Sequence, residues 1–336
     1  MKSFSYSQAA DVPSALQAIH GNPAAFFIGG GTNLVDLMKY GVEKPSQLIE
    51  IGKLPLANIE ALPDGGVRVG ALARNSDMAN HPLIREKYPV LSEAILAGAS
   101  PQLRNLATAG GNLMQRTRCY YFYDVGFTQC NKRNPGSGCA ARDGINRIHA
   151  ILGASDQCIA TNPSDMSVAL AAIGAIVQVQ GESGPRSIPF AEFHRLPGDT
   201  PQVDTNLRKG ELITSIDLPS LPAARNYCYL KVRDRRSYAV ALVSVAAMVD
   251  VQNGKIREAR FALGGVAHKP WRVPAAEKML AGKEPNAAAF NAAAEVALHG
   301  ARPYPDNAFK VPLARKSIVR ALLEAVARGN GNGKLG

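Results

Sequence analysis

Four of the five cysteines, Cys119, Cys130, Cys139 and Cys158, fall within 40 residues, and the other 296 positions hold only Cys228. They lie in a stretch from Arg116 to about Ala160 that shows neither helical nor strand periodicity and is rich in Gly, Asn and Arg. A loop that long needs an organiser other than a packed core, and a bound metal is one. Disulfides suit small, core-poor domains in oxidising compartments, whereas hydrophobic residues make up 46% of these 336 positions. Structural zinc prefers ligand pairs two to four residues apart. The spacing Cys119-x10-Cys130-x8-Cys139-x18-Cys158 contains no such pair. An iron–sulfur cluster needs four thiolates under looser spacing rules. Arg116, Arg118, Lys132, Arg133 and Arg142 stand against Asp124 alone across residues 114–142, and positive charge favours thiolates. Spacing alone leaves two readings open: a cluster, and four unligated buried thiols. Cys228, between Tyr227 and Tyr229 on a predicted strand, reads as a buried structural thiol.

Two glycine turns provide a second constellation. Ala24–Ile28 reads as a short buried strand. It enters Gly29-Gly30-Gly31-Thr32-Asn33-Leu34 and then the apolar-periodic stretch Leu34, Val35, Leu37, Met38. In a strand–glycine–helix turn the backbone can approach a pyrophosphate, and the helix start offers free N–H groups. Thr32 or Asn33 is placed to cap that helix. The turn lacks the third glycine of a dinucleotide fingerprint and the GK[ST] of a P-loop. A second turn, Thr108-Ala109-Gly110-Gly111-Asn112, is predicted to supply another set of backbone donors, so a phosphate-rich ligand becomes more credible. In Asn162-Pro163-Ser164-Asp165-Met166, Ser164 or Asp165 can cap a following helix, and Asp165 can also accept hydrogen bonds from a cofactor. Lys231 opens the charged run Lys231-Val232-Arg233-Asp234-Arg235-Arg236. It alternates with apolar neighbours, which points it inward, where a cation near a flavin would stabilise the reduced ring.

Periodicity predicts strands at Gln47–Ile51, Gly66–Val69 and Ile176–Val179. It predicts helix over Asp77–Ala97 with a break near Pro89, and helix over Ser164–Ala172. Beyond a linker at Pro219–Pro222 come three strands, Tyr227–Val232, Ala241–Val249 and Ile256–Leu263. Helices follow near Pro274–Leu280, Ala287–Leu298 and Val311–Ala327, the order of a separate α+β domain. The expected division is 1–221, carrying the cysteine loop 116–160, then 222–328, then a Gly/Asn-rich tail 329–336. Net charge is +11, and +10 of it falls in residues 201–336, where 21 Lys/Arg face 11 Asp/Glu. Those cations are scattered without aromatic interleaving, which argues against a nucleic-acid face. No apolar run reaches the roughly 18 residues of a membrane span. The N-terminus has neither an apolar h-region nor twin arginines, so no export signal of its own is expected. GxSxG and HExxH are absent and the six histidines form no ligand cluster, so nothing points to hydrolysis.

Together FIGGGTNLVDLM, TAGGNLMQRT, NPSDM and LKVRDRRSYA resemble the FAD-binding medium subunits of the molybdenum hydroxylases, the xanthine dehydrogenase and CO dehydrogenase family, in order and over nearly the whole chain. RTRCYYFYDV, CNKRNPGSGCAA and HAILGASDQCIATNPSDM narrow the resemblance to the FAD subunits of periplasmic aldehyde oxidoreductases. Most members of the family lack these cysteines.

The resemblance implies an α+β chain: a vanillyl-alcohol-oxidase (PCMH-like) FAD-binding domain in two subdomains, with a cysteine-rich cluster loop, then a small CO-dehydrogenase-flavoprotein C-terminal domain. It implies that FAD is held by Ile28, Gly29, Gly30, Gly31, Thr32, Asn33, Leu34, Thr108, Gly110, Gly111 and Asn112. Asp165 is implied near the ribityl chain, Lys231 near the ring, and Leu212 as a further contact. Cys119, Cys130, Cys139 and Cys158 are implied as ligands of a [4Fe-4S] cluster. The implied partners are a small subunit with [2Fe-2S] clusters and a large subunit holding the molybdenum cofactor, in a heterotrimer or dimer of heterotrimers. Substrate chemistry is expected there, with no catalytic residue on this chain and electrons leaving for an external acceptor. Periplasmic localisation is implied, by co-export with a signal-bearing partner; a cytoplasmic complex is the alternative. Other readings are a subunit of a hydroxybenzoyl-CoA reductase-like or xanthine dehydrogenase-like complex, and a non-enzymatic scaffold holding structural zinc.

Overall fold

The computed structural model describes residues 1–221 and 226–329, so part of the expected linker and nearly all of the expected tail lie outside the described residues. Strands β1 (Ser5–Gln8), β2 (Ala25–Ile28) and β3 (Gln47–Glu50) form a parallel sheet in the order β1-β3-β2. Parallel neighbours need crossovers. The first is the Val12–Gly21 helix, started by Asp11, whose carboxylate accepts from Ser14 N at 2.8 Å in a reciprocal capping box. The second contains the glycine turn and the Leu34–Lys39 helix.

Strands β4 (Ile59–Ala61), β5 (Val67–Gly70), β6 (Ile176–Gly181), β7 (Gly184–Pro189) and β8 (Leu212–Leu218) make an antiparallel sheet ordered β4-β5-β8-β6-β7. Alternate residues Val67, Val69, Val177, Val179, Ile216 and Leu218 turn into one core, as the period of two demands. That core is covered by Asn75–Asn80, Pro82–Lys87, Pro89–Ala97 and Asp165–Ile173. The helical stretch expected over 77–97 is therefore three helices. Pro82 and Pro89 each open a helix as its first residue, where the missing N–H costs nothing.

Strands β9 (Tyr227–Val232), β10 (Val243–Gln252) and β11 (Lys255–Gly264) form the third sheet, ordered β11-β10-β9. Asn253 (φ 52°) and Gly254 (φ 73°) join β10 to β11, the paired positive φ of a tight hairpin. β10 is buried on both faces. Ala246 and Met248 enter the core of the first domain, while Val245, Ala247 and Val249 pack under Ala287–Ala297 and Lys310–Gly329. The Asp165–Ile173 helix, buried at every position, sits where the two domains share their core. No helix among the described residues is long and apolar enough to cross a membrane.

The 116–160 segment is largely irregular, as expected, with one helical turn at Tyr120–Tyr123. It is nevertheless closely tied. The backbones of Cys130 and Cys139 pair in an isolated antiparallel bridge, as do those of Ser155 and Cys158. Ile151 N and Leu152 N both donate to Val266 O, at 2.9 and 3.0 Å, which fastens the segment to the C-terminal domain.

Candidate cofactor sites

The first glycine turn fits an anion. Gly29 to Leu34 are half-buried. Among the described residues, none of their backbone N–H groups donates a hydrogen bond. Gly31 takes φ +68°, a left-handed conformation that glycine adopts without strain. Asn33 stands at the helix cap as expected, but its side chain does not cap. It reaches instead to the cysteine segment: Nδ2 donates to Tyr123 OH at 3.0 Å, and Oδ1 accepts from Arg116 N at 2.9 Å. The helix N–H groups are thereby left open for a ligand.

The second turn packs directly on the first. A Cβ on Gly30 would lie 2.0 Å from Leu106 O, and one on Gly29 would lie 3.2 Å from Thr108 Oγ1. The structure corrects the expectation that this turn supplies backbone donors. Ala109 N and Gly110 N donate to Ala73 O and Ala71 O at 2.8 and 2.7 Å. Gly111 N donates to Thr108 Oγ1 at 3.2 Å and Asn112 N to Thr108 O at 2.8 Å. These groups are spent on attaching the turn to the segment just after β5 and capping its own short helix. The side chain of Asn112 remains, its Oδ1 accepting from Ser164 Oγ at 2.7 Å. Ile28 packs against Gly31. Leu212 lies in the hydrophobic core with Leu72, beneath the turn.

Ser164, not Asp165, caps the following helix, accepting from Ser167 N at 3.0 Å. Asp165 is turned inward to Lys231, with Nζ to Oδ2 at 2.7 Å, and Tyr229 OH donates to its Oδ1 at 2.6 Å. Both side chains of the ion pair are buried, at 5% and 8% exposure. Lys231 also donates to Ala97 O at 3.1 Å. The lysine points inward as its alternation predicts, yet its charge is balanced by Asp165. A cavity beside this pair is lined by Arg118, Asn162, Ser164, Val240, Ser244 and Gly265, so both domains contribute to it.

Cys119, Cys130, Cys139 and Cys158 come together around a second cavity, with Tyr121, Phe122 and Lys132. None is in a disulfide. Burial pushes the thiols up, Cys119 to about 12 and Cys158 to about 11. Backbone hydrogen bonding partly offsets this: Ala160 N donates to Cys158 Sγ at 3.5 Å, and the backbone at Phe122 and Tyr121 draws Cys119 down, as that at Ile159, Ala141 and Arg142 does Cys139. Donors aimed at sulfur stabilise the anion that a metal binds. Among the described residues no three Cys, His, Asp or Glu converge on a single-ion site. Zinc needs its ligands about 2.3 Å from one ion, whereas a four-iron cluster puts four thiolates around a cage.

Three of the five cations expected to favour thiolates are paired with acids, Arg116 and Lys132 with acids distant in sequence. Lys132 and Arg116 both pair with Asp204, and Arg116 also reaches Glu43. Arg142 pairs with Asp156 at 3.0 Å. Arg133 donates to Tyr121 O and Phe122 O, each at 2.8 Å. Burial opposes ionisation of Asp204, but Lys132, Arg116 and His268 outweigh it and hold the carboxyl at about 2. With a folded pKa below its ordinary value, Asp204 contributes stability above pH ~4 that is lost as pH falls through about 2, on the order of 2 kcal/mol. Urea midpoints measured from pH 5 to 2 should therefore fall more steeply for the native chain than for Asp204→Asn.

Sequence reasoning missed Asp204 and two groups behind the cysteines, His149 and Lys310. His149 lies inside a quoted motif, but no spacing rule singles it out. Lys310 is wholly buried and donates to His149 O at 2.7 Å and to Gly265 O, which no local pattern foretells.

Residues 2–221 match the family described as FAD binding domain in molybdopterin dehydrogenase. Residues 228–325 match the CO dehydrogenase flavoprotein C-terminal domain. The chain is 48% identical to the aldehyde oxidoreductase FAD-binding subunit PaoB of Escherichia coli, covering 98% of this chain and 100% of that one. It is 29% identical to the glyceraldehyde dehydrogenase medium chain of Sulfolobus acidocaldarius, over 84% and 83% of the two chains. In fold it matches the CO dehydrogenase of Oligotropha carboxidovorans with TM-score 0.77, over 97% of this chain and 98% of that chain at 22% identity. The α+β expectation and the family resemblance are both borne out: this chain belongs to the FAD-binding medium subunits of the molybdenum hydroxylases.

Proposed function

We propose that the chain is the electron-transfer subunit of a molybdenum-dependent aldehyde oxidoreductase and holds two redox groups, FAD and a [4Fe-4S] cluster on Cys119, Cys130, Cys139 and Cys158. The observation that carries this reading is the convergence of those four cysteines on one cavity, next to the helix that leaves the first glycine turn. Leu37 of that helix packs in the same cluster as Cys119, Cys130 and Cys158. End-to-end identity with an aldehyde oxidoreductase subunit supports the aldehyde assignment.

In this reading the open N–H groups of Gly29–Leu34 bind the FAD diphosphate. Thr108, with Leu106 and Ala107, braces that turn by close packing, Gly110 and Gly111 hold the second turn in place through Ala71 and Thr108, and Asn112 contributes through its side chain. The Asp165–Lys231 pair lies toward the flavin, where it presents a balanced dipole to the cofactor rather than a free positive charge. Leu212 supports the turn from below. When bound, FAD and the cluster supply electron carriage between partners. The chain's own residues hold them in place and keep water from the sulfurs. Substrate oxidation belongs to a large molybdenum-cofactor subunit, with a small [2Fe-2S] subunit between, in a heterotrimer or dimer of heterotrimers. Export with a signal-bearing partner would place the complex in the periplasm.

Cys130→Ser tests the cluster. The variant should keep about one FAD per chain and lose most of the about four irons. Native iron content in that variant would remove Cys130 from the ligand set, and stoichiometric zinc in the native chain would replace the cluster by a scaffold site.

A further inference from the structure

His149 is the one side chain among the described residues that hydrogen-bonds a sulfur of the four-cysteine set. Its Nε2 lies 3.1 Å from Cys119 Sγ, and the ring is buried at 1% exposure. Its Nδ1 makes no hydrogen bond of regular geometry among the described residues, although the Asn146 backbone carbonyl faces the ring. A neutral imidazole carries one proton, and the geometry decides where. With the proton on Nδ1, that N–H would have at best a poorly aligned carbonyl, and two lone pairs, those of Nε2 and the thiolate, would face each other at 3.1 Å. With the proton on Nε2, the N–H donates to sulfur and only an acceptor is left unsatisfied, the less costly defect.

The backbone around the ring is anchored to the C-terminal domain. His149 O accepts from Lys310 Nζ at 2.7 Å and from Asn307 Nδ2 at 3.3 Å. Asn307 also reaches Asn146 O and Ala150 O, on either side of His149. These contacts hold the ring against one sulfur. They make little sense for a loop that only needed covering, since an apolar side chain would fill the space without an orphaned nitrogen.

Resting on the cluster reading above, we infer that His149 is a positioning residue whose Nε2–H donates to the Cys119 thiolate and sets the reduction potential of the bound cluster. A donor to a ligating sulfur stabilises the more negative, reduced state and raises the potential. The same contact makes Cys119 electronically distinct from the other three ligands.

The test is a redox titration of the cluster signal by electron paramagnetic resonance in the holoprotein, with iron counted in each sample. His149→Leu removes the donor, and His149→Gln keeps an N–H near the same place. The expected result is unchanged iron in both, with the His149→Leu midpoint lowered by about 59 mV, a tenfold change in the reduced-to-oxidised ratio for one electron. His149→Gln should recover most of that shift. An unchanged midpoint in His149→Leu overturns the inference. So does an equal fall in His149→Gln, which would mark repacking, or iron loss from His149→Gln, which would mark a ligand or a purely structural residue. Iron loss confined to His149→Leu, with a native midpoint in His149→Gln, would still support the donor. Native protein without iron sinks the cluster reading itself, and the iron count separates that failure from the others.

Discussion

Replacing Gly30 by alanine should abolish stable FAD retention. The added Cβ would sit 2.0 Å from Leu106 O, 2.8 Å from Leu106 C and 3.1 Å from Ala107 Cα. All three neighbours are backbone, held by Ala107 N donating to Leu103 O at 2.8 Å and Asn75 N donating to Ala107 O at 2.9 Å. Overpacking that flexible side chains can absorb costs about 1–3 kcal/mol, and here nothing flexible gives way. The two turns must part, which moves the open N–H groups of Gly29–Leu34 out of register with a diphosphate. Flavin released on desalting measures this directly. We expect roughly a tenfold or greater loss of bound FAD, since each 1.4 kcal/mol is a factor of ten. Gly21→Ala is the control, because its Cβ would meet nothing within 4 Å. Native flavin content in Gly30→Ala would show that the packing of the two turns is not what shapes the site.

Lys231→Met should destabilise the fold by about 3–5 kcal/mol, the usual cost of stripping one partner from a buried ion pair. Asp165 would keep the hydroxyl of Tyr229 but lose the cation 2.7 Å away. Adding Asp165→Asn removes the uncompensated charge and should recover much of the loss at pH 7, a coupling that a double-mutant cycle in urea reads out. If the double variant were no more stable than Lys231→Met, the loss would lie in packing of the lysine stem and not in charge.

How legible all this was in the sequence depended on the range of the interactions. The C-terminal strands and helices appeared close to their observed bounds because their apolar residues recur with a clear period or, in β10, run almost unbroken. β1 did not, because Ser5–Gln8 is mostly exposed and carries no apolar alternation. The first glycine turn could be read because strand, glycines and helix are contiguous. The second was misread in one respect: two of its N–H groups are consumed by Ala71 and Ala73, an attachment invisible without the fold, and two by Thr108. The excess of cations near the cysteines was real in sequence, but Asp204 and Glu43 arrive from 70 to 90 residues away and neutralise much of it. His149 and Lys310 stayed hidden for the same reason. A buried lysine bonded to carbonyls leaves no local signature, and a single histidine does not announce which sulfur it faces.

The most direct test of the central claim is the absorption spectrum of the purified native chain, with FAD and iron counted on the same sample. The account predicts flavin bands above a broad cluster shoulder, with about one FAD and about four irons per chain. Anaerobically purified, folded protein that carried FAD but no iron would contradict it.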